Sequence, residues 1–193
     1  MSLTIQDLEK LQEKLQQSDR DYQLELQEGN IVVMGPSDIE SSEIGAQFIY
    51  LLKMWVNPRR LGRVFDSSGG FIMPNTDLRA PDVSFVSAER LRTTVRDFAK
   101  LVPDLVVEIK SKSGSEAVAL LAHRIRPLEE KIQLFLTLGA RVAILIDPDK
   151  LTCTVYRPSG EPVVLADEDK LTVPELFPGW EISISELWPP VFD

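Results

Sequence analysis

The chain has 193 residues, 44% of them hydrophobic and 26% charged, the balance of one globular domain with a core of its own. A formal net charge of −9 argues against coating nucleic acid through a general basic surface, because phosphate affinity comes mainly from Lys and Arg. The lone Cys153 excludes an intrachain disulfide and a cysteine-rich zinc site. With no apolar run long enough to span a bilayer and no signal-peptide pattern over residues 2–15, the expected setting is cytoplasmic, with no membrane partner.

In chain order, Thr4 caps a helix whose apolar residues Ile5, Leu8, Leu11 and Leu15 follow helical spacing. Tyr22, Leu24 and Leu26 alternate as a strand, which turns at Glu28-Gly29-Asn30 into Ile31–Met34. A second helix, capped by Ser37 or Asp38, is predicted to run to about Val56, where Asn57-Pro58 stops it. Val64–Asp66 and Phe71–Met73 read as a hairpin around Ser67-Ser68-Gly69-Gly70, and Asn75-Thr76-Asp77 turns into a strand over Ala80–Val86. The polar stretch 87–100 reads as a partly helical cover. The strand Leu105–Lys110 follows, then a helical region over 115–138, kinked at Pro127 and closed by Gly139. Val142–Ile146 and Thr152–Tyr156 are strands about the turn Asp147–Lys150; short strands near 163–165 and 181–184 and a turn holding Trp188 complete the chain. This order predicts an α/β fold, a mixed α+β sheet flanked by helices, in a single domain over 1–193 with its core at about 37–147.

Within that frame the strand Leu105-Val106-Val107-Glu108-Ile109-Lys110 stands out. Side chains alternate faces along a strand, so Glu108 and Lys110 point the same way. A carboxylate and an ammonium buried in an apolar strand cost several kcal/mol unless each is paired or metal-bound. Asp82 ends another apolar strand 26 positions upstream, an interval that allows one connection between neighbouring strands. Two carboxylates and a lysine are the parts needed to hold a divalent cation and activate water against a phosphodiester. The flanking helices add two charges near their apolar faces. Glu40 lies one turn before Ile44 on the stripe Ile44, Phe48, Leu51, Trp55, and Lys131 lies among Leu128, Leu134, Phe135 and Leu138.

Other polar residues have simpler readings. Asp104 shares a strand face with Glu108, but a metal site closes more easily with acids from separate strands, which favours Asp82. Asp147-Pro148-Asp149 is turn chemistry, and the Gly69-Gly70 pair lacks the rest of a phosphate-binding loop. His123, the only histidine, reads as a polar helix position; Cys153 and the three tryptophans read as packing.

The ordered set resembles the Uma-type restriction-endonuclease branch of the PD-(D/E)XK nuclease superfamily. It comprises Glu40, Phe65–Phe71, Ala80-Pro81-Asp82, Val106–Ser111, Leu128–Ile132, Leu138–Arg141, Ile146-Asp147-Pro148 and Val155–Pro158. That resemblance implies a restriction-endonuclease-like core and a DNA endonuclease. Asp82 and Glu108 would hold Mg²⁺ or Mn²⁺, with the Ile109 carbonyl as a third ligand and Glu40 as an auxiliary acid. Catalytic charge would come from Lys110, Lys131 or both; Lys110, on a strand, is expected to be the better preorganised. A homodimer is expected, since two related sites suit the two strands of a duplex. Two other classes compete: a non-catalytic interaction module that keeps the fold, which the acidic charge favours, and a hydrolase using Asp82 and Glu108 as paired carboxylates.

Overall fold

The path of the chain is set by two sheets that meet near the Asp82 segment. A computed structural model describes residues 2–18, 22–111 and 128–192. The larger sheet has six strands in the order β10-β9-β8-β7-β6-β3: β3 (Gly62–Asp66), β6 (Val83–Ser87), β7 (Leu105–Ile109), β8 (Val142–Asp147), β9 (Thr152–Tyr156) and β10 (Val163–Leu165). Only β7 and β8 run parallel, and a parallel pair requires a long crossover, here carrying the helix α3 (Leu128–Leu138). All five residues of β7 are buried, Glu108 among them, as in a strand covered on both faces.

The two faces have different covers. Val107 and Ile109 belong to a core with Ile44, Phe48, Leu52 and Val56 of α2 (Ile39–Arg59), joined by Phe177 and Trp180 from the C-terminal region. Val106 belongs to the opposite core, with Ile132, Phe135 and Leu136 of α3. Each fully buried aliphatic side chain in these layers contributes roughly 2 kcal/mol. Glu108, two positions from Val106, therefore lies on the α3 face.

The smaller sheet is β2-β1-β5-β4, built from β1 (Gln23–Gln27), β2 (Asn30–Met34), β4 (Phe71–Ile72) and β5 (Leu78–Arg79). Leu24, Leu26 and Leu78 pack on Leu8 of α1 (Ile5–Gln17), whose start is held by a reciprocal Thr4–Asp7 capping box. A two-stranded ribbon of β11 (Lys170–Thr172) and β12 (Glu181–Ser183) lies near the C-terminus.

Three expectations change. Val64–Asp66 and Phe71–Met73 do not form a hairpin: β3 pairs with β6 and β4 with β5, so the chain leaves one sheet for the other between them. Gly70 allows this crossing, because a Cβ there would lie 2.5 Å from the Phe98 ring. Helix α2 continues through Pro58 to Arg59 and ends on Arg60 at φ 53°; in a last turn, a proline disrupts little of the hydrogen-bond ladder. Residues 87–100 form turns and bends rather than helix. The Arg63 guanidinium donates to the Leu91 and Arg92 carbonyls at 3.1 and 3.0 Å, occupying acceptors a helix would use. The expected first turns of the last helix, with His123 and the Pro127 kink, lie outside the described residues.

Candidate active site

Antiparallel register brings the two acids together. Val83 faces Val107 across β6 and β7, so one step outward Asp82 faces Glu108 on the α3 side of the sheet. The Asp82 Oδ2 accepts the Ile109 N–H at 2.8 Å, which fixes that carboxylate against the end of β7. Because the N–H and C=O of one strand residue point the same way, the Ile109 carbonyl is directed to the Asp82 side as well. Its side chain points to the other face, where a Cβ on Gly45 would lie 3.3 Å from Ile109 Cδ1, so α2 approaches most closely there.

Glu108 is 2% exposed, and its Oε2 accepts from the Lys131 ammonium at 2.9 Å. Its Oε1 is buried and has no hydrogen-bond partner among the described residues, an arrangement that costs on the order of 1–3 kcal/mol. Lys131 reaches the acid from the first turn of α3, one turn before the buried Phe135, along a largely buried stem.

The smaller sheet adds a third carboxylate that sequence patterning overlooks. Leu24 and Leu26 face α1, which turns Glu25 to the opposite side of β1; that side is covered, leaving Glu25 1% exposed. Its Oε1 accepts the Ala80 N–H at 3.0 Å and lies 4.0 Å from the Lys131 nitrogen. Its Oε2 accepts from Gln27 Nε2 at 2.7 Å and lies 3.6 Å from Arg79. Arg79, 2% exposed, also donates through Nε and a terminal nitrogen to Asp77 Oδ2 at 3.2 and 2.8 Å. The only sequence signal for Glu25 was its alternation with two leucines, and a polar residue on the off face of a strand is ordinarily solvated.

The electrostatics follow from the charge count. Among the described residues, the four carboxylates of Glu25, Asp77, Asp82 and Glu108 face the cations Arg79 and Lys131, so this set, fully ionised, is short of positive charge. Burial pushes Glu108 up to about 8 against the attraction of Lys131, with Asp82 repelling it further. Burial also raises Asp82, again opposed by Lys131 and by the Ile109 N–H. Burial would lower Lys131, but Glu108, Glu25 and Asp82 together hold its ammonium well above the ordinary range.

The remaining predicted residues are placed as follows. The Lys110 ammonium, just past β7, lies 3.2 Å from Asp147 at the end of β8 and 3.0 Å from Asp149 beyond it, while the helix lysine holds Glu108. Glu40 is exposed in the first turn of α2, the helix that covers the opposite face. The start of that helix is tied to the end of β7 by Ser111 Oγ donating to Asp38 Oδ2 at 2.5 Å. Asp104, at the far end of β7, accepts from the Ser87 N–H and from Arg90 at 2.8 and 2.9 Å. Cys153 is buried, and burial pushes its thiol up to about 12, which leaves it inert as a nucleophile.

Over residues 5–185 the sequence matches the family named Uma2, described as "Putative restriction endonuclease". The chain belongs to the Uma2 family. No curated protein matches it. A solved structure described as a putative nuclease of DUF820 from Anabaena variabilis ATCC 29413 is similar with a TM-score of 0.72 and 24% identity. The likeness covers 85% of this chain and 88% of that one. At that identity the likeness shows a shared fold: the mixed sheet and flanking helices are those of a nuclease-like structure. Among the described residues no helix is long and apolar enough to cross a membrane.

Among the described residues no group of three or more acid, histidine or cysteine side chains is gathered closely enough to hold an ion alone. Two carboxylates on facing strand positions, one with a buried oxygen lacking a partner, nevertheless fit a hard dication that keeps waters and takes phosphate oxygens, the habit of Mg²⁺. A dication would also offset the excess of negative charge.

Proposed function

We propose that this protein is a divalent-metal-dependent DNA endonuclease with its site at Asp82, Glu108 and Lys131. The observation that carries this reading is the unpartnered Glu108 Oε1, directly across from Asp82 and beside a buried ammonium. Asp82 and Glu108 would hold Mg²⁺ or Mn²⁺, with the Ile109 carbonyl as a third ligand. Bound there, such an ion supplies a Lewis acid for the phosphate and a water of lowered pKa.

The protein's own groups do the rest. The Ile109 N–H keeps Asp82 turned toward Glu108, and Lys131 holds the Glu108 carboxylate while presenting positive charge where a phosphate gains negative charge. Lys110, paired with Asp147 and Asp149, braces the ends of β7 and β8. Glu40 is the auxiliary acid of this proposal, at the exposed start of α2. Cutting a duplex on both strands calls for two such sites, which a two-fold dimer on DNA would supply.

The paired-carboxylate hydrolase reading fares worse, because it leaves the buried ammonium without a task. The deciding experiment is Mn²⁺ titration by calorimetry on wild type and on the Asp82→Ala, Glu108→Ala double variant, followed by supercoiled-plasmid cleavage with the same samples. Binding and cleavage by wild type alone support the proposal. Equal Mn²⁺ heats in both proteins would remove it.

A further inference from the structure

Glu25 occupies a position that neither its sheet nor its arginine explains. It belongs to the smaller sheet, yet its Oε1 is turned away from Arg79 and toward the larger one. A buried carboxylate costs several kcal/mol in desolvation, and its partners show what that cost secures. Arg79 already has a close partner in Asp77, with contacts of 3.2 and 2.8 Å to one oxygen, and approaches Glu25 Oε2 only to 3.6 Å. Asp77 in turn accepts the Glu28 N–H at 2.7 Å, so that ion pair is anchored without Glu25. Neutralising Arg79 is therefore a secondary task for Glu25.

The Oε1 contacts lead to the site instead. Ala80 is two residues before Asp82, and its N–H is fixed by this oxygen. The same oxygen is 4.0 Å from the Lys131 nitrogen, which on its other side reaches Glu108 at 2.9 Å. The Gln27 amide holds Oε2 at 2.7 Å, so the carboxylate cannot swing away from either target. One oxygen atom thus ties the backbone leading into one acid to the ammonium that serves the other. Among these groups the Glu108 Oε1 is buried and has no hydrogen-bond partner among the described residues.

We propose that Glu25 is a positioning residue: through a single carboxylate oxygen it sets both the Ala80–Asp82 segment and the direction of the Lys131 ammonium toward Glu108. The smaller sheet is then part of the working site, although it supplies no atom to the substrate. This rests on the nuclease reading only where cleavage is measured; the direction of Lys131 can be read in the metal-free protein. Partners of this kind set metal affinity and activity by roughly ten- to a hundredfold.

The test uses the full chain with ¹⁵N-labelled lysine. The Lys131 Nζ resonance is assigned by its disappearance in Lys131→Arg. Glu25→Gln keeps the shape and an acceptor for Ala80 but removes the charge facing Lys131. The expected result is a Lys131 resonance that shifts and loses its protection from exchange, with backbone amide spectra otherwise retained. Mn²⁺ affinity and single-turnover plasmid cleavage should each fall about tenfold, with KM for DNA unchanged. Glu25→Asp, which retains the charge, should recover part of the Lys131 signal and part of the rate. If Glu25→Gln does not fold, Glu25→Asp alone decides, since withdrawing the carboxylate by one methylene must still move the Lys131 resonance.

An unchanged Lys131 resonance in a folded variant overturns the proposal, as does an equal loss in Glu25→Gln and Glu25→Asp. Absence of cleavage by wild type removes the nuclease reading, while the resonance still decides the role of Glu25.

Discussion

Strand β7 contains one buried acid and is preceded by another, with nearly the same exposure and different hydrogen bonding. Asp104, just before its first residue, is 1% exposed, and Glu108, one residue from its end, is 2% exposed. Both oxygens of Asp104 are satisfied, one by a backbone N–H and one by Arg90. Glu108 has one oxygen on Lys131 and one on nothing, and its carboxyl is pushed up to about 8 by burial. Burial alone does not distinguish a structural acid from a working one. What differs is saturation: a fully bonded carboxylate has no capacity left for a cation or a water, and a half-bonded one does.

The sharpest way to break this contrast is to neutralise each acid in place. Glu108→Gln is expected to remove Mn²⁺ binding and reduce single-turnover cleavage by a hundredfold or more, on the order of what one well-placed electrostatic group supplies. Asp104→Asn should leave both unchanged while lowering unfolding stability by about 2 kcal/mol, because it weakens bonds to a buried charge. Calorimetry, plasmid cleavage and urea unfolding on the two variants measure all of this. A cleavage loss in Asp104→Asn comparable to that in Glu108→Gln would end the distinction.

The lysines extend the comparison. Lys131→Ala is expected to lower cleavage by about a hundredfold, since it removes the ammonium that holds Glu108. Lys110→Ala should change the rate by less than about threefold and stability by less than about 1 kcal/mol, because its side chain is 37% exposed and solvent screens its pairs. This order reverses the one expected from strand preorganisation, and single-turnover assays on the two variants test it directly.

A smaller effect sharpens the comparison through pH. Glu108 titrates at about 8 in the folded protein against an ordinary value of 4.5. Between those values the folded state keeps a proton that the unfolded chain has released. Metal-free stability should therefore be greatest below about pH 4.5 as far as this group is concerned, and should fall as pH rises to about 8. The slope is at most about 1.4 kcal/mol per pH unit. Asp82, also raised, has the same sign. Thermal unfolding with chelator at pH 5.5 and about pH 8 should show the decline in wild type, and Glu108→Gln should flatten it.

Much of this protein was legible from local pattern. Alternation and helical spacing marked β1, β6, β7, α1 and α2, because burying one face against a core imposes a period on the residues themselves. The apolar runs also located Asp82 next to the start of β6 and Glu108 near the end of β7. Pairing was another matter. Val64–Asp66 and Phe71–Met73 looked like neighbours because they are close in sequence, yet β3 pairs with β6 and β4 with β5, in different sheets.

The chain's sequence by itself determined which residue types were available at the ends of β6 and β7, and a two-residue period was enough to aim them. Which cation met Glu108 was decided only in three dimensions: Lys110 had neighbouring acids at the end of β8, and Lys131 had a buried stem directed at the sheet. Glu25 was decided there too. Its neighbours Leu24 and Leu26 said only that it faced the other way, and whether that side met water or a second sheet depended on how the two sheets packed. Local periodicity encodes direction along one strand, whereas the company a side chain keeps depends on contacts between segments dozens of residues apart.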